Sequence, residues 1–502
     1  MRTRSVIIIG AGFSGLAAGI YARLNDYETH VLERQKKPGG VAATWRRGEF
    51  LCDGGVHFYT GFKSGGLTGD LYRELGLDQA DQYLPLDNYA RFLDPASGRQ
   101  VDVSSDLDRF GDDLKKLSPP DGGFIDDFLQ ACRDFQGLDQ FAALAKPPEL
   151  TTWVDKARLM VGFRKVYPYF SGRWQLPVKT AAAGLHDPFL KGVFNNLFHP
   201  DVPLWFPAGL LGMLADGNLA PRRDGSAGFA RALEKKYLDL GGRISYGVEV
   251  QRISEKNGRV MGVVLEDGET LDADRVIASG DGYNTLFNLL GGRFIHPKTR
   301  EAHENWPLCP PMVMVHLGID LDLSDQPVMT IFQPREKITS GFPAADWTAV
   351  RTFNYSPLFA PPGKTLVQVM WESRWRPWRE LRDDLPAYQE EKERLAGEVV
   401  RALECFRPGI SSTALMVDVS TPYTMWRRTL NREGAYLGFA VTAASISAEI
   451  RRTLPGLSHF YLAGQWTSPG GGVAPTLLTG RHAAMLLCRD DDRKFKTTAP
   501  TR

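Results

Sequence analysis

The chain is poor in cysteine, in net charge and in long apolar runs, and each shortage excludes something. Five cysteines in 502 residues (Cys52, Cys132, Cys309, Cys405 and Cys488) lie scattered, with no C-x-x-C pair. That spacing argues against a disulfide framework or a zinc site and for ordinary thiols in a reducing compartment. The nine histidines show no H-E-x-x-H or comparable spacing, so no metal site is expected. Basic and acidic side chains number 60 and 59, a net charge of +1, which removes the electrostatic case for a nucleic-acid partner. No apolar run reaches the roughly 18 residues that a membrane span needs. The longest, 202–215, lies between Asp201 and Asp216 and carries Pro203, Pro207, Gly209 and Gly212. It is expected as a loop that either covers the site or dips into a membrane face. Met1-Arg-Thr-Arg before Val6-Ile-Ile-Ile9 imitates a secretory signal, but the glycines that follow read better as a strand and turn. The cytoplasm is the expected location, with peripheral membrane contact left open.

What is abundant is glycine. The 51 glycines are about 10% of the chain, against a usual share of about 7%. At about 150 residues per domain, the length suggests two to three domains. Ser5–Ile9 reads as a buried parallel strand, Gly10-Ala-Gly12-Phe-Ser14-Gly15 as a tight turn, Leu16–Leu24 as a helix, and His30–Glu33 as a second strand. Gly10 permits the turn, Gly12 leaves room for a pyrophosphate, and Gly15 lets helix and strand approach. The helix N-terminus offers free N–H groups to phosphate. Glu33, at the strand end, suits a ribose with a free 2′-hydroxyl, which NAD and FAD share. Two further glycine turns, Pro38-Gly39-Gly40 and Asp53-Gly54-Gly55-Val56-His57, favour the extended flavin dinucleotide.

The pattern returns later. Gly225–Gly241 reads as a helix, followed by strands at 243–246, 248–255 and 259–265, a hairpin turn at Asp267-Gly268, and a short strand at 274–278. Near the end, a strand at 459–463 meets the glycine loop Gly464-Gln465 to Gly472, and Val473–Cys488 reads as a helix.

These segments resemble the FAD-dependent superfamily of phytoene desaturases, carotenoid cis–trans isomerases and retinol saturases. The resemblance covers nearly the whole chain. It rests on G-A-G-F-S-G-L-A-A-G, P-G-G, L-C-D-G-G-V-H, D-A-D-R-V-I-A-S-G-D, T-P-Y-T and Y-L-A-G-Q-W-T-S-P-G-G-G-V-A-P-T-L-L-T-G-R-H-A-A. It implies an α/β fold: a Rossmann-type FAD-binding domain of the glutathione-reductase and amine-oxidase kind with an inserted mixed α+β substrate domain. The expected boundaries are 1–80, 222–292 and 436–491 for the FAD domain, 81–221 and 293–435 for the substrate domain, and 492–502 for a frayed tail. It also implies a non-covalent FAD. Gly10, Gly12, Ser14 and Gly15 would hold the pyrophosphate, Glu33 and Arg34 would stand at the adenosine ribose, and Val250 would meet adenine. Gly39, Gly40, Gly55, Val56, Gly464, Gln465, Gly472 and Val473 would line the ribityl chain and flavin. Two departures stand out: Val41 follows P-G-G where many relatives carry Arg or Lys, and Gln465 replaces the Asp or Glu of many flavin oxidases.

The implied activity is oxidoreduction at carbon–carbon bonds of a hydrophobic small molecule, carotenoid- or retinoid-like, by desaturation, saturation or isomerisation. The inserted segments are rich in aromatics (Phe124, Phe128, Phe135, Phe141, Tyr167, Tyr169, Phe170, Trp174, Trp371, Trp375 and Trp378), which fit either a core or an apolar channel. His57 is the one candidate catalytic side chain, against a structural histidine as the plainer reading. Two other readings stand beside this one: a flavin amine oxidase of the same fold, and a non-enzymatic escort or binding protein. Oligomeric state is not legible.

Overall fold

The structure is a computed structural model that describes all residues except 1–3, 64, 443–444, 446–447, 449 and 499–502. Its nucleotide side is a five-stranded parallel sheet in the order Phe460–Leu462, Arg275–Ala278, Ser5–Ile9, Glu28–Glu33, Arg243–Tyr246. β-Branched runs form it because both faces are covered. Helices Phe13–Leu24 and Val473–Asp490 pack on one face, close enough that a Cβ on Gly480 would come within 2.8 Å of the Ala18 amide. Gly225–Asp239 packs beside them, with Phe229, Leu233 and Tyr237 in the same core. An antiparallel sheet of Val250–Lys256, Arg259–Leu265 and Thr270–Asp272 covers the other face.

The second large sheet has seven strands, in the order Ala414–Ser420, Met312–Ile319, Thr365–Glu372, Thr348–Thr352, Met329–Phe332, Asn88–Asp94, Arg99–Ser104. Neighbours are antiparallel except Met329–Phe332 against Asn88–Asp94, which are parallel. Its outer face packs on helix Leu385–Ala402 through Leu395 and Val399. The hairpin Thr44–Arg47 and Phe50–Asp53 and the loop that follows join the two large sheets.

Two expectations change. The stretch 202–215 is neither a covering loop nor a membrane dip: Trp205–Ala215 is a helix with Pro207, Ala208, Leu211, Met213 and Leu214 buried. Its glycines serve close packing, since a Cβ on Gly212 would lie 2.8 Å from the Cys132 carbonyl of helix Gly122–Phe135. The tail is anchored rather than frayed over 492–498. Asn25 donates to the Lys496 carbonyl and accepts from its amide, Arg493 donates to the Asn25 carbonyl, and Phe495 packs on Tyr21. Residues 499–502 lie outside the described residues. The inserted aromatics are largely core: Phe124 and Phe128 set their rings edge-on to Phe194, Phe135 stacks on Trp205, and Trp378 is fully buried. Among the described residues no helix is long and apolar enough to cross a membrane.

Candidate functional site

The first glycine turn separates two kinds of glycine. Gly10 has φ +100°, and a Cβ on Gly15 would strike the Gly10 carbonyl and lie 2.6 Å from Ser279 Oγ; both are required by the fold itself. Gly12 is not. Its φ of −70° suits any residue, and a Cβ there would meet nothing nearer than Gly40 Cα at 4.0 Å. The bare faces of Gly12 and Gly40 oppose one another beside the N-terminus of helix Phe13–Leu24, whose first amides have no helical partner. The result is a trench walled by backbone and lined by N–H groups, the chemistry that binds phosphate.

The other expected residues gather around it. Glu33 is buried and accepts from the Ala11 and Gln35 amides, each at 2.7 Å. Burial raises its pKa, and the two amides and Arg34 oppose the rise. Arg34 itself is tied to Glu249 at 3.0 Å and to the Arg427 carbonyl, one residue from Val250 at the head of its strand. The Gly39 amide donates to the Ala11 carbonyl at 3.0 Å. Gly464, with φ +98°, leaves no room for a side chain, since a Cβ there would lie 3.1 Å from Ser279 O and 3.4 Å from Ser14 Oγ, and its amide donates to Thr479 Oγ1. Gln465 opens the short turn that follows, and Gly472 and Val473 start the helix Val473–Asp490.

The loop 53–57 is held by a row of polar side chains that no motif announced. Asp418 lies opposite His316, His316 opposite Gln368, and Gln368 opposite Arg351, on four neighbouring strands of the seven-stranded sheet. Arg351 is buried and donates to the Val56 and His57 carbonyls at 3.2 and 3.1 Å, and to Tyr355 Oη. Gln368, fully buried, donates to the Asp53 carbonyl at 2.9 Å and faces His57 Nε2 at 3.2 Å. The Asp53 carboxylate accepts from the Gly55 and Ser226 amides, and Ser226 Oγ accepts from the Val56 amide. Burial pushes His57 down to about 3, with the Arg351 guanidinium adding to it, and burial pushes His316 down to about 4. Both imidazoles are therefore neutral at ordinary pH.

At the far end of the row, Cys52, His316 and Asp418 bring their ligand-type atoms within 4.8 Å of one another. The Asp418 oxygens already accept from Trp45 Nε1 at 2.8 Å and Arg47 Nε at 2.6 Å. Beside the row a cleft runs between Gly40 and Gly54, lined by Trp45, Met312, Met314 and Met425.

A family model for flavin-containing amine oxidoreductases matches residues 13–488. The chain belongs to that family. It is an FAD-dependent oxidoreductase, and the backbone trench of Gly12 and Gly40, which a single Cβ would fill, fits such a dinucleotide. Within the family it is similar to the lycopene-forming phytoene desaturase of Pseudescherichia vulneris, at 25% identity over 97% of this chain and 99% of that protein. It is also similar to the chloroplastic prolycopene isomerase of Daucus carota, at 22% identity over 97% of this chain and 80% of that protein. These similarities place it in the desaturase and isomerase superfamily that the motifs suggested. Its fold is that of putrescine oxidase with putrescine bound, at TM-score 0.62 and 14% identity over 97% of this chain and 100% of that one. An oxidoreductase from Methanosarcina mazei gives 0.60 and 18% over 97% and 100%.

The residues that sequence reasoning missed on this family's fold are Arg351, Gln368, His316 and Ser226. His316 and Gln368 share one signal, a polar residue in the middle of an apolar run, as in Met312-Val-Met-Val-His316-Leu, whereas Arg351, in Thr348-Ala-Val-Arg351-Thr352, does not stand out in this way. A polar group buried mid-strand needs a partner, and here the partner is the loop beside the trench.

Proposed function

We propose that this oxidoreductase acts on carbon–carbon bonds of a hydrophobic polyene of the carotenoid or retinoid kind, by desaturation, saturation or cis–trans isomerisation. The observation that carries the reading is the full-length similarity to a phytoene desaturase and a prolycopene isomerase. The methionine- and tryptophan-lined cleft between Gly40 and Gly54 supports it. FAD, held non-covalently, supplies two-electron redox chemistry when bound. Gly10, Gly12, Ser14 and Gly15 hold its pyrophosphate at the helix N-terminus, Glu33 and Arg34 the adenosine ribose, and Val250 the adenine. Gly39, Gly40, Gly55, Val56, Gly464, Gln465, Gly472 and Val473 line the ribityl chain and ring. His57 is the candidate catalytic side chain, neutral and half-buried.

A lipid-soluble substrate calls for a place to leave the bilayer. Helix Trp153–Gly162 has no buried residue; Trp153 is 80% exposed, Val161 64% and Met160 56%. Lys156, Arg158, Arg164 and Lys165 are exposed around it, with Asp155 the one acidic residue in 153–165. That face, rather than 202–215, is the surface for peripheral contact with an anionic membrane.

The test is incubation of the FAD-loaded protein with carotenoids, retinoids and unsaturated fatty acids, read by mass and isomer analysis. A product two hydrogens lighter or heavier, or a geometric isomer, supports the reading. Hydrogen peroxide released from amines, with no change in any polyene, overturns it.

A further inference from the structure

The contacts of Gln368 orient its amide, and the orientation decides the proton of His57. Its one end lies 2.9 Å from the Asp53 carbonyl and 2.9 Å from His316 Nε2; its other end lies 3.2 Å from His57 Nε2. A carbonyl only accepts, so the NH2 group must face Asp53; the flipped amide would set two acceptors against each other. One N–H goes to the Asp53 carbonyl. The second points toward His316 Nε2 at 2.9 Å. His316 Nε2 also lies 3.3 Å from the Asp53 carbonyl, and its buried Nδ1 has no hydrogen-bond partner. Gln368 Oε1 remains for His57, and an oxygen acceptor requires a proton on His57 Nε2.

We propose that Gln368 is a positioning residue that locks His57 as the Nε2–H tautomer, so that His57 keeps a fixed, uncharged lone pair at Nδ1. No protein group among the described residues is hydrogen-bonded to that Nδ1, whereas Nε2 is taken. Arg351 completes the clamp by holding the His57 and Val56 carbonyls. The titratable and charged groups that face the pair are Arg351 from the neighbouring strand, His316, Asp53 from the hairpin, and Asp418 beyond His316; the Arg351 charge opposes a second proton on His57. His57 Nδ1 is therefore an acceptor for an N–H or O–H donor, without an ionisation in the working range. This inference rests on the reading of His57 as the candidate catalytic side chain.

The test reads the protons directly. Long-range proton–nitrogen correlation spectra of FAD-loaded protein labelled with [15N]histidine, assigned with His57→Gln and His316→Gln, should show Nε2 of His57 protonated and Nδ1 bare. The pattern should hold from about pH 5 to about pH 9, since a buried neutral imidazole does not titrate there. A proton on His57 Nδ1, or averaged nitrogen signals, overturns the proposal. In Gln368→Met, which keeps length but removes both groups, the His57 signals of the FAD-loaded fraction should average between tautomers while far-UV circular dichroism remains that of the folded protein; an unaltered His57 would show that Gln368 does not position it. In Gln368→Glu, the carboxylate should raise the His57 pKa by about two units or more, giving a new ionisation in the flavin absorbance titration that wild type lacks; its absence counts against the lock. None of these readouts uses a substrate. Failure to transform any polyene would sink the reaction assigned above and leave the tautomer standing.

Discussion

Gly12→Ala separates the demands of the fold from the demands of the cofactor. Gly12 is the N-cap of helix Phe13–Leu24 at φ −70° and ψ 175°, a conformation alanine adopts freely. A new Cβ would stand 4.0 Å from the nearest protein atom, Gly40 Cα. The cofactor-free protein should therefore change by less than about 1 kcal/mol: alanine is a poorer N-cap than glycine by a few tenths, and loss of unfolded-chain freedom offsets that. The same methyl occupies the trench. Displacing a phosphate from one or two amides removes charge-assisted bonds of about 1.5–3 kcal/mol each. A loss of about 3 kcal/mol is roughly a hundredfold in affinity. The measurement pairs flavin-to-protein absorbance after gel filtration with urea unfolding of the stripped protein. Gly15→Ala is the control, because its Cβ strikes the Gly10 carbonyl and should destabilise by about 1–3 kcal/mol whether or not FAD is present. Full flavin occupancy in Gly12→Ala, with an affinity within about threefold of wild type by the same conversion, would refute the placement of the pyrophosphate.

Three further outcomes are expected. Arg351→Met should destabilise by about 2–4 kcal/mol in urea unfolding and lower flavin retention, since it strips donors from the Val56 and His57 carbonyls; equal stability and flavin content would mean that the loop does not need this clamp. Gly480→Ala should cost about 1–3 kcal/mol in thermal or urea unfolding, because its Cβ collides with the Ser14 carbonyl across the helix pair; a neutral result would show that the two helices can part freely. Stability should also rise with pH between about 4 and about 6.5. Buried His303 and His316 are pushed down to about 4 and His482 further, so the unfolded chain binds the extra protons in that window and folding loses by acidification. Each group removes about 1 kcal/mol on going from pH 6.5 to 5.5, about 3 kcal/mol for the three. Asp281, raised to about 6 by burial, opposes this with about the strength of one histidine over its own window. A melting temperature that is flat or falls from pH 5 to pH 7 would contradict this account.

The nucleotide half was legible because its requirements are local. Gly10 needs a positive φ, Gly15 an absent Cβ, and Glu33 a strand end, and all of these lie in one strand–turn–helix–strand unit within the first 33 residues. The polar row was not legible because it is made by register. His316, Gln368, Arg351 and Asp418 come from four strands spread over about a hundred residues, and only the antiparallel pairing sets them side by side. Helix Trp205–Ala215 was misread for a related reason. Gly209 and Gly212 look like breakers in isolation, and become close-packing positions once Gln140 and helix Gly122–Phe135, respectively, lie against them. The anchored tail is the same case, since Asn25 and Lys496 meet only after the chain has closed.

The central claim is that an FAD enzyme here works on carbon–carbon bonds of a polyene. It is tested most directly by mixing the FAD-loaded protein anaerobically with a detergent-dispersed polyene panel and following the flavin spectrum and the lipid mass together. Desaturation bleaches the flavin with formation of an equimolar product two hydrogens lighter. Saturation by the prereduced protein restores the oxidised spectrum with an equimolar product two hydrogens heavier, and isomerisation yields a geometric isomer at unchanged mass. A loaded protein that leaves every polyene unaltered, yet is bleached by an amine, would contradict the account.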